Sequence, residues 1–307
     1  MSNKTEHEKD SLRRSRTAWL WVLMCAAGIF STVPMARGVQ RYVSHTIGKD
    51  FFTYFVLSIF FTLFAALLCF LIFRPKVNSA SQYIWLIICA GLYIYLTIQL
   101  RKYPEEAIHL LEYGLLTWFI FKALSYKIRD WTIYITAALI ASLFGIADEF
   151  LQWMMPNRVW SYKDAGINAL GAGIFILAIS KGIRPGIISK PVKRSSINIM
   201  TGTIIAVLII IGLCLSNTPD AVKRYTTIFN NLSWLNDEEP MTVYGYEYVN
   251  PETGASHVRT SNKSGNKYSS GKIITSFSPR TAWFFILAMI GVLWTCGEFW
   301  KRRLDDD

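Results

Sequence analysis

Residues 51–73 read FFTYFVLSIFFTLFAALLCFLIF, a run without one charged side chain. A helix needs about 20 mostly apolar residues to cross the hydrocarbon of a bilayer, whereas a helix packed on a soluble core keeps a polar face. The reading extends outward from this run. Similar uncharged stretches occupy residues 17–36, 83–100, 197–215 and 281–297. Three more, 107–124, 131–152 and 164–180, are as apolar over most of their length, with polar residues gathered towards one end. The whole chain agrees: 52% of its 307 residues are hydrophobic and only 17% charged, against about 25% charged in a soluble domain. The expected fold is therefore an all-α polytopic membrane protein, a bundle of about eight transmembrane helices.

The charges orient the bundle. The net charge of +11 on a chain with a mean hydropathy of +0.29 points to loops on the cytoplasmic side of a membrane and not to nucleic acid. With the N-terminus inside, the segments 1–16, 74–82, 122–130, 181–196 and 298–307 hold 18 Lys and Arg, and the short loops 37–50, 101–106 and 153–163 hold 7. Both termini are thus expected in the cytoplasm. Arg13, Arg14 and Arg16 precede a first apolar run longer than a signal peptide needs, which reads as an uncleaved anchor. The five cysteines lie within apolar runs and show no C-x-x-C spacing, so no disulfide framework or thiolate metal site is expected.

The organisation that follows is a cytoplasmic tail (1–16), two spans (17–79), a four-span core (80–182), a basic cytoplasmic loop and seventh span (183–215), an outside segment (216–280), and a last span with its tail (281–307). The outside segment is polar. Thr218-Pro219-Asp220 reads as a helix start, with Tyr225, Ile228, Phe229 and Leu232 at helical spacing behind it. Residues 241–249, 257–260 and 272–277 read as strands, giving a small extracytoplasmic α+β insertion.

Ionisable residues inside spans are costly, about 2.5–3.5 kcal/mol at the bilayer centre, and mark candidate sites. The fourth span carries His109, Glu112 and Tyr113 at i, i+3 and i+4, one face of a helix that Pro104 opens. The fifth carries Asp148, Glu149 and Gln152 near its end, and the sixth Asp164 and Asn168, again i and i+4. The topology puts the start of span four, the end of span five and the start of span six in one outer layer, with Arg158 in the loop above it. His109 is the candidate general acid or base, with Glu112, Asp148 and Glu149 as its catalytic partners. Tyr113, Gln152, Arg158, Asp164 and Asn168 are candidate substrate-binding residues, the guanidinium suiting a phosphate or carboxylate. A divalent Mg, Mn or Ca ion among Glu112, Asp148, Glu149 and Asp164 is a variant of the same site. Enzyme and non-catalytic scaffold both stay open, and transport is not expected, because the inner halves of these spans are apolar and the motif has no second copy.

These stretches resemble a known family. His109-Leu-Leu-Glu112-Tyr113-Gly114, followed by Asp148-Glu149-Phe-Leu-Gln152-x3-Pro156-Asn-Arg158-x5-Asp164-x3-Asn168-x2-Gly171, is similar to the VanZ-like family of bacterial membrane proteins, over residues 80–182 or so. Two positions depart from the family pattern: Glu105-Glu106 stands where many members have Asp-Lys, and Phe175 where many repeat a glycine. The resemblance implies a multi-pass protein of the bacterial cytoplasmic membrane. Its founding member is linked to low-level resistance to teicoplanin, which makes glycopeptide susceptibility one expected phenotype. Expected partners are the lipid bilayer and an envelope lipid or lipid-linked glycan.

Overall fold

The computed structural model describes residues 2–48, 50–73, 79–100, 104–153, 162–188, 191–216, 245–249, 256–259, 271–274 and 279–306. Its helices are α1 (Ser2–Thr46), α2 (Phe51–Ile72), α3 (Ala80–Gln99), α4 (Pro104–Leu124), α5 (Thr132–Trp153), α6 (Tyr162–Leu177), α7 (Arg194–Leu215) and α8 (Pro279–Asp306). Eight helical stretches, one in each helix, are long and apolar enough to cross a membrane. The exterior suits that solvent: Phe70, Phe284 and Phe299 are 57%, 70% and 71% exposed, a placement that water would penalise and lipid tails accept.

Helix ends depart from the expected spans in one important place. The first helix does not stop at the charges on either side of its apolar run; α1 is a continuous helix of 45 residues that contains Pro34. A proline removes one backbone hydrogen bond from the turn before it. There, Ser31 and Thr32 donate their hydroxyls to the carbonyls of Gly28 and Ile29, at 2.8 and 2.6 Å. The loop expected over 37–50 is thus helical as far as Thr46.

Two compact units make up the chain, residues 1–146 with 164–200, and residues 147–163 with 201–307. In the first unit α4 is the central element. Tyr113, Leu116, Thr117 and Ile120 on α4 are all fully buried. Tyr113, Leu116 and Ile120 pack with Val22 and Ala26 of α1, with Ile133, Ala137 and Ala141 of α5, and with Ala172 of α6 in one apolar core. Between apolar helices in lipid there is little hydrophobic drive, so close approach of small residues has to supply the packing. Three glycines do this: a Cβ on Gly171 would lie 2.9 Å from the Leu110 carbonyl oxygen, one on Gly145 2.8 Å from the Asn168 Cβ, and one on Gly114 2.7 Å from the Phe175 ring.

Beyond Leu177 the sixth span continues as a π-helical turn, Ala178–Ile183, which ends at Arg184 in the left-handed region with φ 45°. The turn is tied to α3: Gln82 donates its amide to the Gly182 carbonyl at 3.0 Å, and Arg184 donates to the Ser81 hydroxyl at 2.9 Å. Asp130 starts α5 by accepting the Thr132 N–H at 3.1 Å and the Thr132 hydroxyl at 2.6 Å.

In the second unit α7 and α8 run antiparallel. Trp283 donates its indole N–H to the Ser216 hydroxyl at 2.6 Å, its ring lies over Gly212, and at the other end Thr201 approaches Gly297. Of residues 217–278, three short strands are described: β1 (Gly245–Val249), β2 (Ser256–Arg259) and β3 (Gly271–Ile274). β1 is central and antiparallel to both neighbours, with Tyr246 opposite Arg259 and Gly245 opposite Ile274. The surface helix expected over 218–232 lies outside the described residues, and an α+β insertion is not established by the strands alone.

Candidate functional site

The candidate residues fall into two groups, one in each unit. On α4, which begins at Pro104, a residue favoured at the first helical position, His109 and Glu112 stand one turn apart. The His109 Nδ1 is 3.2 Å from Glu112 Oε2, and both side chains are partly exposed, at 18% and 24%. Tyr113 stands against the histidine, ring centroids 6.2 Å apart and tilted by 44°. It is fully buried, and its hydroxyl donates to the Phe144 carbonyl on α5 at 3.3 Å. Tyr113 therefore joins two helices, a role the sequence reading did not give it. Below it, the Thr117 hydroxyl donates to the Tyr113 carbonyl at 2.6 Å.

Asn168 and Asp164 come from α6. Asp164 lies in the first turn, where a carboxylate is favoured by the unpaired N–H groups of a helix start. Asn168 is fully buried, and neither its amide oxygen nor its amide nitrogen has a hydrogen-bond partner among the described residues. A buried amide in that state costs about 1–3 kcal/mol. The glycine at 145 lets α5 come within van der Waals contact of its Cβ. Gly145 had no signature in the sequence, because a glycine within an apolar run looks like any other small residue.

Asp148, Glu149 and Gln152 form the group in the second unit. They are 0%, 1% and 7% exposed. The Gln152 amide nitrogen donates to Asp148 Oδ2 at 3.2 Å and to Glu149 Oε1 at 3.0 Å. One amide thus serves two adjacent buried carboxylates, as the i, i+3 and i+4 spacings on α5 require. Each carboxylate has a further interaction besides.

Arg158 lies outside the described residues. Among the described residues no group of three or more His, Cys, Asp or Glu side chains is placed to hold a metal ion. The chemistry that the first unit presents is a partly exposed imidazole beside a carboxylate on α4, which can exchange a proton or bind one, and a buried amide on α6. The second presents two carboxylates held by an amide. Neither a family model, nor a curated protein, nor a solved structure matches this chain.

Proposed function

We propose that this chain is a VanZ-like protein of the bacterial cytoplasmic membrane, with both termini cytoplasmic, that binds the head group of an envelope lipid or lipid-linked glycan at the outer leaflet. The observation that carries the reading is the burial of Asp148, Glu149 and Asn168, each at 1% exposure or less, on helices otherwise suited to lipid. Such groups are retained in spans where they pair, line a polar cavity or meet a ligand. The His109–Glu112 pair, at 3.2 Å and open to the surroundings, is the reactive element of the same reading. In its enzymatic form His109 moves the proton and Glu112 orients the imidazole. Asp148 and Glu149 hold polar groups of the bound molecule.

A second reading, a scaffold with a structural polar network, is favoured by Tyr113 and Gln152, whose polar atoms bond within the protein. Transport is not proposed. The charged candidates cluster near one end of spans four, five and six, residues 115–121, 133–143 and 174–179 carry no charge, and alternating access needs polar contacts at the midplane.

The experiment is retention of a defined probe. Full-length protein in nanodiscs containing a polyprenyl-linked disaccharide is repurified, and the retained lipid is weighed by mass spectrometry. The expected result is retention by the wild type, loss in Asp148→Asn, and, for an enzyme, a product mass that disappears in His109→Ala while retention persists. Equal retention by the wild type and Asp148→Asn leaves the scaffold reading standing and removes this one.

A further inference from the structure

A second polar feature of the first unit owes nothing to the candidate site. Lys122 lies 13 residues beyond His109 on α4, about 20 Å along the helix axis. There the start of the first span and the end of the fourth enclose a cleft of about 640 Å³, lined among others by Asp10, Arg13, Arg14, Trp21, Phe119 and Lys122. Two helices that are not neighbours in sequence thus bring three cations and one carboxylate to a single opening. Asp10 is taken by Arg14, at 2.9 Å, and neither Arg13 nor Lys122 has an ion-pair partner among the described residues. The floor is aromatic. Trp21 and Phe119 lie nearly parallel, with ring centroids 6.2 Å apart and planes 13° apart.

This arrangement has the layering of an amphiphile. Trp21 follows Arg13 by two turns of α1, so cations form a rim about 12 Å along the helix from an aromatic step. The rim stands at the ends of two apolar spans, Asp10–Met35 and Glu106–Leu124, where a bilayer changes from head group to hydrocarbon. A phosphate ester fits the rim, since a guanidinium and an ammonium both donate to phosphate oxygens. Its glycerol and first methylenes then fall on the indole and phenyl faces. We propose that this cleft binds the phosphate of an anionic phospholipid of the leaflet that faces Arg13 and Lys122.

The test compares spin-labelled phosphatidylglycerol with spin-labelled phosphatidylcholine around the full-length protein in phosphatidylcholine vesicles, reading the immobilised fraction of each. The wild type is expected to prefer phosphatidylglycerol, with the preference falling as salt is raised. The double variant R13Q/K122Q is expected to lower it about fivefold or more, since each cation near a charged surface contributes on the order of fivefold. Lys127→Gln removes a neighbouring charge outside the lining and is expected to change it little. Asp10→Asn frees Arg14 and is expected to raise the preference, a gain that misfolding cannot imitate. A wild type without preference, Lys127→Gln as damaging as R13Q/K122Q, or no gain in Asp10→Asn would each overturn the proposal. Displacement of the labelled lipid by inorganic phosphate at constant ionic strength would overturn it too, and assign the cleft to the free anion.

Discussion

Gly171 and Gly173 are near neighbours on α6 with opposite surroundings. A Cβ at Gly171 would lie 2.9 Å from the Leu110 oxygen and 3.2 Å from the Leu110 Cα, both backbone atoms that cannot swing aside, whereas one at Gly173 would meet nothing within 4 Å. Gly171→Ala is therefore expected to lower the thermal midpoint, at a cost of about 1–3 kcal/mol, and Gly173→Ala to leave it level or raise it, by up to about 1 kcal/mol. Unfolding of the two variants side by side in one detergent is the check, and equal midpoints would contradict the close α4–α6 approach. Gln152 allows a second prediction at this scale. Replacing it by Leu removes the donor shared by Asp148 and Glu149 while keeping bulk, so stability is expected to fall by about 1–3 kcal/mol for polar groups left less satisfied. A midpoint equal to the wild type would mean that other partners hold both carboxylates.

At the scale of elements, α5 depends on its first residues. Asp130 is 2% exposed and serves both polar hydrogens of Thr132. Asp130→Ala is expected to cost about 1 kcal/mol, the usual loss of a cap, and amide exchange in the first turn of α5 should quicken while the middle of the helix is unchanged. Uniform exchange along α5 would argue against a local role. What the sequence disclosed is also clearest at this scale. Pro104 announced the start of α4, and the spacing of His109 and Glu112 announced their contact, because both follow from local helix geometry. The length of α1 was not legible. Hydropathy reports where the hydrocarbon ends, and a helix can run on through charged residues in water, as residues 2–16 and 37–46 do. The packing of Gly145 on Asn168 was equally hidden, since it depends on which helices become neighbours and not on either residue's own pattern.

At the scale of the whole molecule, the eight helices long and apolar enough to cross a membrane would make an even number of crossings, which would return the chain to the side from which it started. Single cysteines at Asn3 and Asp305, in a background without the native ones, are expected to react with an impermeant maleimide from the same side of sealed vesicles, and a cysteine at Asn157 from the other. Labelling of the two termini from opposite sides would remove one crossing from the fold. Among these elements α1 stands out by its length. Its 45 residues extend about 68 Å at 1.5 Å per residue, roughly twice the hydrocarbon thickness of about 30 Å. The surplus makes this helix a lever: a tilt of ten degrees about its midpoint would sweep each tip through about 6 Å. A push from a binding event at one end of α1 would thus reach the opposite aqueous phase as movement, without any molecule crossing the bilayer.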